Sequence, residues 1–356
     1  MTFTDRLTTV TQDEILPQAI DAVLEGNFIA FRFLSNAKKW SGEKMKKPVK
    51  IAKNDLGGSF SGLDVHSTAT VDTRRMLTYD VRGYEIPVAI PGMEKAVNRT
   101  PAQVINLVRI EVESTQDDAV DDVGTLLYAD GTGNGSKDFL GLDALVDDGT
   151  SVATFGGLTR TDYDSYLDST RTASGGTLTL AKLATLISAV SIGGGSRLRP
   201  SVLDSDETVW NLYESLLSPT VRENYNAFGL PSVTRTSKAP LRGAELGGAA
   251  GYVSLSYRGI PWVYDEKSTA ETIWALNENF ISWYGLKDPD LKQISTGGGT
   301  IDGPYREAPS KNVGFQWTGF MRPINQYGEV AHLYLLGNLI NWNARPQGRL
   351  TGVTGV

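Results

Sequence analysis

The stretch from residue 127 to residue 142, "LYADGTGNGSKDFLGL", combines glycines with side chains that could bind an ion. A phosphate-binding loop has the order G-x-x-x-x-G-K-[ST], whereas here Gly135 is followed by Ser, Lys and Asp. Asp130 could open an EF-hand calcium loop, but the twelfth position, which must supply a bidentate glutamate, is Gly141. The stretch is therefore predicted to be a connector, because Asp-Gly stops a helix and the other glycines allow tight turns.

Histidine and cysteine, the usual residues of metal and nucleophilic sites, are scarce. The chain has no cysteine, and its two histidines, His66 and His332, belong to no metal motif such as H-E-x-x-H. Disulfides, thiolate metal sites and a cysteine nucleophile are therefore excluded. We predict no catalytic, metal-binding or cofactor-binding residues, and any acid–base chemistry would rest on carboxylates, lysines or tyrosines.

One carboxylate pair keeps an enzymatic interpretation open. Asp147 and Asp148 are adjacent, and the aromatic residues Tyr163 and Tyr166 follow them in the sequence. This combination would suit a carboxylate-based enzyme or a carbohydrate-binding module with an α+β fold. The choice between this interpretation and a structural protein depends on residues 1–90, because a monomeric enzyme has little use for segments that cannot bury themselves.

Charge is distributed unevenly along the chain. The net charge is −7, whereas a simple nucleic-acid-binding protein is normally basic. Lysines cluster near the N-terminus, and they are Lys38, Lys39, Lys44, Lys46, Lys47, Lys50 and Lys53. Aspartates cluster later, at Asp117, Asp118, Asp121 and Asp122. The aspartates favour a helix side that faces solvent or a partner, and the lysines suit either solvent or an acidic partner.

Length and composition indicate a folded protein with more than one core. The 356 residues exceed what a single hydrophobic core usually serves, so two or more domains are expected. Hydrophobic residues make up 40% and charged residues 21%, as in ordinary globular proteins. No apolar run reaches the length of a membrane span and no secretory signal is visible, so we expect no membrane partner.

Helical periodicity is strongest over residues 101–128. Thr100 is a candidate N-cap, and Pro101 suits the first helical position. The apolar residues from there to residue 128 form a broad stripe at helical spacing. A helix of this length would span about 42 Å. This is long for a globular helix, and it predicts a spine for the molecule.

Three shorter helices are also predicted. The first covers residues 15–24 and the second residues 180–190, where apolar residues recur at helical spacing. The third covers residues 204–217, where Asp204 and Glu207 have the spacing of a capping box.

Strand-forming composition dominates the rest of the chain. Residues 46–90 are predicted to form a long two-stranded excursion with no clear buried face, which needs a partner to lie on. Residues 251–264 alternate like a strand that turns at Gly259, and residues 323–353 are again predicted to be β structure. Residues 286–312 are rich in glycine, proline and charge, and indicate a loop.

The order of these pieces resembles the major capsid protein of tailed bacteriophages, the family with the Hong Kong 97 capsid fold. In that family a long helix is followed by a "ly-dGt" turn, then by "GL-alV" and "yGGi-R". The matching residues here are Leu127, Tyr128, Asp130, Gly131 and Thr132, then Gly141, Leu142, Leu145 and Val146, then Phe155, Gly156, Gly157 and Arg160. The closing "VAHLYLLGNLINWNARPQGRLTGV" is similar to the last strands of the family. The resemblance spans essentially the whole chain.

The resemblance implies an α+β Hong Kong 97-like capsid fold with a defined domain layout. This layout consists of an N-terminal arm (1–40), an extended β-hairpin loop (41–91), a peripheral domain (92–196 and 313–356) that includes the spine helix 101–128, and an axial domain (197–312). The connector at 127–142 would link the spine helix to the peripheral domain and bind no ligand.

The resemblance also implies a function and partners. Copies of the chain would assemble as hexamers and pentamers into the icosahedral shell that encloses double-stranded DNA, with no enzymatic activity and no cofactor. The implied partners are further copies of the chain, a separate scaffolding protein, a portal, a decoration protein and packaged DNA that is contacted non-specifically. The protein would be found in the virion after assembly in the host bacterial cytoplasm.

Residues that contact neighbouring copies are expected mainly in the basic loop and on the acidic spine. The expected contact residues are Lys50, Lys53, Arg74, Arg75, Asp117, Asp121 and Arg160. An acidic protein that lines a DNA container avoids binding the genome to its wall, so the basic loop is expected to serve protein contacts with the acidic spine face.

Overall fold

The computed structural model describes residues 27–97, 101–173, 175–192, 196–217, 255–286, 292–293, 315–324 and 326–355. The predicted helix at 15–24 and nearly all of the predicted loop at 286–312 lie outside these residues.

The helices of the described residues include one that is far longer than the others. They are α1 (Phe28–Ser35), α2 (Gly92–Val97), α3 (Pro101–Tyr128), α4 (Gly133–Ser136), α5 (Leu142–Leu145), α6 (Asp164–Leu167), α7 (Leu180–Val190) and α8 (Glu207–Leu216). Short 3₁₀ turns occupy Arg160–Asp162 and Ser196–Leu198.

The strands of the described residues form two large sheets and three small ribbons. They are β1 (Lys38–Lys39), β2 (Lys44–Lys50), β3 (Arg74–Asp80), β4 (Arg82–Pro91), β5 (Thr154–Phe155), β6 (Leu158–Thr159), β7 (Thr170–Thr172), β8 (Gly176–Thr177), β9 (Val202–Ser205), β10 (Leu255–Tyr257), β11 (Ile260–Tyr264), β12 (Ile273–Leu276), β13 (Ile281–Gly285), β14 (Lys292–Gln293), β15 (Gln316–Trp317), β16 (Gly328–Asn341), β17 (Gly348–Leu350) and β18 (Val353–Gly355).

Helix α3 confirms the prediction for residues 101–128. It runs for 28 residues, and its buried positions recur at helical spacing on one side, at Val112, Ala119, Val120, Val123 and Leu127. The opposite side carries exposed aspartates and faces solvent in the isolated subunit. The helix is therefore amphipathic, and the burial of this stripe against sheets and helices holds it in place.

The connector after α3 confirms the interpretation of residues 127–142. The Asp130 carboxylate accepts a hydrogen bond from the Thr132 backbone N–H at 2.9 Å, which turns the chain. Gly131 has a φ of +76°, a conformation that favours glycine. Phe139 then packs edge-on against Trp283 with the ring centroids 4.8 Å apart, which ties the connector into the core.

The first sheet has the strand order β1-β13-β16-β15-β14, with β4 also paired to β16. The long strand β16 pairs with β4 over its first part and with β13 over its last part, antiparallel in both cases. Its buried positions alternate, at Glu329, Ala331, Leu333 and Leu335, as expected for a strand with one face on a core. This sheet and α3 enclose the first hydrophobic core.

The second sheet has the strand order β10-β11-β9-β12-β17-β7. It confirms the predicted hairpin of residues 251–264, since β10 and β11 pair antiparallel across Gly259, which has a φ of +76°. Helices α7 and α8 pack on this sheet and enclose a second core. Within it Tyr213 stacks on Trp262 with the ring centroids 4.3 Å apart.

These two cores divide the chain differently from the expected peripheral and axial domains. Helix α7 was expected in the peripheral domain, yet Leu183 and Ile187 pack in the second core with the strands of 202–276. Strand β13 was expected in the axial domain of 197–312, yet it pairs with β16 in the first sheet. The reason is that the second sheet also contains β7, which precedes the expected axial domain of 197–312, and β17, which follows it.

The expected limits of the arm and of the extended loop also need correction. Helix α1 was placed in the arm of residues 1–40, but Phe28 and Phe33 are buried in the first core. Strand β4 was placed in the loop of residues 41–91, but it pairs with β16 over its whole length. Both elements therefore belong to the body of the subunit, and the excursion is limited to β2, β3 and the segment between them.

The predicted capping box at Asp204 and Glu207 is wrong. Asp204 lies in β9 and is completely buried, whereas α8 begins at Glu207 with Asp206 before it. The sequence pattern S/T/D/N-x-x-E placed the helix start two residues early, because a short buried strand precedes the helix without any glycine or proline to mark the boundary.

Candidate functional site: the basic hairpin and the acidic cleft

Strands β2 and β3 form a two-stranded antiparallel hairpin that carries many basic side chains into solvent. Lys46, Lys47 and Lys50 are exposed on β2, and Arg74 and Arg75 are exposed on β3. Lys50 stands directly opposite Arg74 in the ladder. Like charges at opposite positions destabilise a strand pair, and the acidic neighbour at this end is Asp72, which pairs with Arg75.

The base of the hairpin is fixed to the body of the subunit. Leu77 and Tyr79 of β3 are buried, and the Tyr79 hydroxyl donates to the Asn341 carbonyl at 2.6 Å. Burial raises the pKa of Tyr79. The Thr78 N–H donates to the Gly156 carbonyl at 2.8 Å, which adds a backbone contact to the small β5–β6 ribbon. The hairpin is thus held at its base, and it also contacts the body along its length, since Met45 and Val49 pack against the first core and the Lys47 ammonium lies 5.2 Å from the centroid of the Trp342 ring.

The segment between the two strands, residues 51–73, forms no helix or strand and exposes large apolar side chains. Leu63 is 100% exposed, Val65 is 97% exposed and Phe60 is 70% exposed. The Phe60 ring contacts the His66 ring edge-on with the centroids 4.9 Å apart. Scattered exposed apolar residues are normal, but a group at the end of a projecting hairpin is typical of an interaction surface.

A half-open cleft lies between β4, the C-terminal half of α3 and the connector. Its volume is about 560 Å³, and its lining includes the three carboxylates Glu85, Asp122 and Asp138. The Tyr84 hydroxyl donates to Asp122 Oδ2 at 2.7 Å, which fixes that carboxylate at the wall. Burial, followed by the hydrogen bond to Asp122, raises the pKa of Tyr84. We call this feature the acidic cleft, and one of its carboxylates, Glu85, lies 2.6 Å from His332 of the same subunit.

The acidic cleft was not predicted as a unit. Asp122 was noted in the aspartate cluster, but Glu85 and Asp138 come from other elements. One signal could have found Glu85: the alternation along β4, in which Val88 and Ile90 face the core and Glu85 faces outward. No such signal exists for Asp138, because the turn that places it beside α3 depends on tertiary contacts of the connector.

The expected contact residues of the basic loop lie on the surface. Lys50, Arg74 and Arg75 are exposed on the hairpin, and Lys53 is exposed just beyond it, 3.8 Å from an Asp55 oxygen. Arg75 pairs with Asp72, and its Nε also donates to the Tyr163 hydroxyl at 3.4 Å. These positions are compatible with contacts to another molecule.

The acidic residues expected to contact neighbouring copies from the spine are Asp117 and Asp121. Asp121 is largely exposed on α3 and pairs with Lys267 of the same subunit. The hydrogen bond to Asp121 raises the pKa of Lys267. Asp117 lies on the same helix, and its side chain falls outside the described part of the structure.

Arg160 does not lie on the surface, and its expected role in contacts between copies is therefore wrong. Its side chain is completely buried and donates to the carbonyls of Asp147 at 2.7 Å and Ala144 at 3.0 Å. It also lies over the Phe155 ring, 5.0 Å from the centroid. Burial lowers the pKa of Arg160. Arg160 holds the loops around Asp147 together inside the subunit.

The carboxylate pair that suggested an enzyme is not arranged for acid–base catalysis. Asp147 is completely buried, and its Oδ2 accepts hydrogen bonds from the backbone N–H groups of Gly149, Ser151 and Val152 at 2.9–3.0 Å. Its Oδ1 accepts one from Arg349 at 2.5 Å. Burial acts to raise the pKa of Asp147, but these donors outweigh it and lower the pKa. A carboxylate that is fully enclosed and held ionised cannot reach a substrate.

A metal site needs a cluster of ligating side chains, and a membrane-spanning helix needs a long apolar segment. The described part of the chain contains no group of three or more His, Cys, Asp or Glu side chains placed to hold a metal ion. Among these same residues, no helix is both long and apolar enough to cross a membrane.

Comparisons with known proteins identify the architecture. No protein-family model and no curated protein matches the chain. Among solved structures, the capsid asymmetric unit of cyanophage A-1(L) superposes with a TM-score of 0.62 at 15% identity, over 92% of this chain and 93% of that chain. The capsid of the Myoviridae phage XM1 superposes with a TM-score of 0.54 at 12% identity, over 92% of each chain. The chain therefore has the α+β fold of phage capsid proteins.

Proposed function

We propose that this chain is the major capsid protein of a tailed bacteriophage. In this proposal its copies assemble as hexamers and pentamers into an icosahedral shell around double-stranded DNA. The observation that carries the proposal is the likeness to the cyanophage capsid chain, with a TM-score of 0.62 over 92% of this chain and 93% of the other. Because the likeness runs over nearly all of both chains, capsid architecture accounts for the whole subunit rather than for one domain.

We assign the contact between neighbouring copies to the basic hairpin and the acidic cleft. The hairpin brings Lys50 and Arg74 side by side, and the cleft presents Glu85 and Asp122. Opposite charges on two surfaces of one chain allow a head-to-tail contact, which closes into a ring when the rotation between copies suits it. Rings of six and of five copies require the same contact at slightly different angles.

The apolar segment at the end of the hairpin supports the same contact. Leu63 and Val65 are almost fully exposed in the isolated subunit. Covering such side chains on a neighbour contributes about 1.5–3 kcal/mol for each large residue that becomes fully buried. Many modest contacts per subunit then sum over the shell to a strong assembly.

The domain layout of the subunit is part of this proposal. The N-terminal arm precedes α1, the extended loop consists of β2, β3 and the residues between them, and α3 is the spine helix. The body around the first core is the peripheral domain, and the sheet that carries α7 and α8 is the axial domain. The partners we propose are a separate scaffolding protein, a portal, a decoration protein and packaged DNA.

The charge of the chain supports a role as a container for DNA. The net charge of −7 disfavours tight binding of polyanionic DNA to the inner wall, so that contacts with the genome stay weak and non-specific. The proposed location is the virion, after assembly in the cytoplasm of the host bacterium.

The experiment that tests this function is negative-stain electron microscopy of the purified full chain, combined with its mass distribution in solution. The proposal predicts shells, tubes, hexamers or pentamers, either alone or after co-expression with a scaffolding protein. A strict monomer under both conditions would contradict it.

A charge-reversal series then tests the assigned contact. The double variant Lys50→Glu, Arg74→Glu is expected to remain folded and to lose assembly, because both exposed side chains would then repel the acidic cleft. Adding Glu85→Lys in the same chain is expected to restore part of the assembly. The matched control is Arg345→Glu, which reverses an exposed charge that belongs neither to the hairpin nor to the lining of the cleft and should leave assembly unchanged. Normal assembly of the double variant would exclude the hairpin from the contact.

A further inference from the structure

Four polar side chains meet inside the subunit where the C-terminal end of α3 reaches the second sheet. They are Tyr128, Asp204, Asp265 and Ser268, and each is at most 7% exposed. The Tyr128 hydroxyl donates to Asp204 Oδ2 at 2.7 Å. Asp204 lies in β9, and Asp265 directly follows the neighbouring strand β11. We call these four residues the Asp204–Asp265 cluster, and capsid assembly as proposed above makes no use of it.

The two carboxyl groups differ in their hydrogen-bond donors. Asp265 accepts from the backbone N–H of Ile29 at 2.9 Å and from that of Lys267 at 2.9 Å. A backbone N–H can only donate, so both contacts suit an ionised Asp265. Asp204 Oδ2 accepts from the Tyr128 hydroxyl, and Asp204 Oδ1 is buried with no hydrogen-bond partner among the described residues. Asp204 is therefore the member of the pair that can hold a proton without losing its partners.

The surrounding charges favour the proton on Asp204. Burial and then the charge of Asp265 raise the pKa of Asp204 well above the ordinary value of 3.8, and Asp206 adds to this, while the two hydroxyls oppose it. Burial also raises the pKa of Asp265, and the charge of Glu266 raises it further, whereas the backbone donors lower it. Lys267 brings a cation to the same turn, but its ammonium pairs with Asp121 on α3.

The cluster connects three elements of the subunit. Tyr128 is the last residue of α3, and Asp265 binds the first turn of α1 through Ile29. The same turn holds α3 a second time, since Lys267 pairs with Asp121. The N-terminus of α1 also touches α3 directly, where the Asn27 side chain donates to the Val120 carbonyl at 3.3 Å. A change at the cluster thus acts on the attachment of both helices to the second sheet.

We propose that the Asp204–Asp265 cluster is a proton-dependent joint, in which Asp204 is protonated in the folded subunit and its ionisation loosens α1 and α3 from the second sheet. Two carboxylates beside one tyrosine hydroxyl repel each other and lack solvation. Because the pKa of Asp204 is raised by folding, the stabilisation is complete at acid pH. It declines as the pH rises above 3.8 towards the folded pKa.

Amide hydrogen exchange of the unassembled full chain, measured from pH 6 to pH 9 and corrected for base catalysis, tests this joint. The reporters are the Ile29 amide and the amides at the end of α3. In the parent chain their opening equilibrium is expected to rise by up to about tenfold per pH unit while Asp204 remains protonated in the folded state. In Asp204→Asn, which keeps the shape but cannot ionise, the opening equilibrium should not depend on pH.

Two further variants keep the test decisive. Asp206→Asn changes a half-buried neighbour on the same segment and should keep the pH response of the parent chain. If Asp204→Asn does not fold, Asp265→Asn replaces it. The opening equilibrium should then stop rising at a lower pH than in the parent chain, because the charge of Asp265 no longer repels that of Asp204. A pH-independent parent chain, or an unchanged response in the variant, would overturn the proposal. None of these outcomes depends on whether the chain forms shells.

Discussion

Asp147 is the residue whose environment differs most from what its sequence position suggests. It lies at the centre of a buried ionic network that joins segments remote in the chain. Arg349 approaches from β17 at 2.5 Å and Arg171 from β7 at 3.6 Å, while Arg160 binds the Asp147 carbonyl. Arg349 also pairs with Asp143. The carboxylate therefore ties the loop after α5 to the second sheet at β17 and β7.

Removal of this carboxylate should strongly destabilise the subunit. In Asp147→Ala, Arg349 is left buried without its main partner, and the backbone N–H groups of residues 149–152 lose their acceptor. The expected loss in the free energy of unfolding is about 3–5 kcal/mol, measured by urea denaturation. The matched control is Asp148→Ala, next in the chain and half-exposed, which should cost less than about 1 kcal/mol. Equal losses in the two variants would contradict the role of Asp147.

The same residue predicts how stability responds to acid. Because folding lowers the pKa of Asp147, its stabilisation is present above the ordinary value of 3.8 and is lost as the pH falls through the lower folded pKa. The difference in stability between the parent chain and Asp147→Asn should therefore shrink between about pH 4 and pH 2. Urea denaturation at a series of pH values measures it, and a constant difference would show that Asp147 is not ionised in the folded state.

At the scale of elements, Gly141 lets the connector between α3 and the first core pass close to the end of the helix. A Cβ atom at Gly141 would lie 2.3 Å from the Ala129 carbonyl oxygen and 2.6 Å from that of Leu126. Both contacts are with backbone at the end of α3, so the chain could relieve them only by moving the helix end or the connector.

Gly141→Ala should accordingly lower the free energy of unfolding by about 1–3 kcal/mol, the usual cost of overpacking. Urea denaturation or the thermal midpoint measures the effect. Gly57→Ala is the matched control, because its added Cβ would meet no atom within 4 Å. A Gly141→Ala variant as stable as the control would mean that the connector can shift freely.

The prediction of helices and strands succeeded where an apolar pattern extended over many residues. It failed where a short buried strand carried a residue that is typical of a helix cap. The stripe along 101–128 has enough turns to exclude a strand, and α3 has the predicted limits. Strand β9 is four residues long and buried on both faces, so it has no alternation that could reveal it. Its Asp204 resembled a helix cap because aspartate is common at that position, whereas the residue lies inside the sheet.

At the scale of the whole molecule, the proposed contact between copies makes assembly sensitive to salt. The side chains of the basic hairpin and of Glu85 are largely exposed, so their attraction is screened once the Debye length falls to a few ångströms. Light scattering of the parent chain should show weaker assembly as the salt concentration rises from about 0.1 M to about 1 M. The double variant Lys50→Glu, Arg74→Glu should lack this dependence, and stronger assembly of the parent chain in salt would point to a mainly apolar contact.

The sequence by itself determined the elements whose signals are local and the general class of the protein. The periodicity of 101–128, the Asp130–Gly131 stop and the strand-forming composition of residues 46–90 were all visible without a structure, whereas the burial of Leu77 and Tyr79 in the hairpin was not. The order of these pieces also indicated the capsid fold that the comparisons support. Such features depend on residues close together in the chain, where the type and spacing of side chains directly restrict the backbone conformations that are available.

Only the tertiary structure decided which residues share a core and which carboxylates share a site. Arg349 and Asp147 are 202 positions apart, and Tyr128 and Asp204 are 76 positions apart. Neither pairing leaves a periodic trace, because each depends on how strands from both halves of the chain order themselves in the second sheet. In the sequence Arg160 and Asp147 therefore resemble surface or catalytic residues, although burial and mutual contacts make them part of the frame of the subunit.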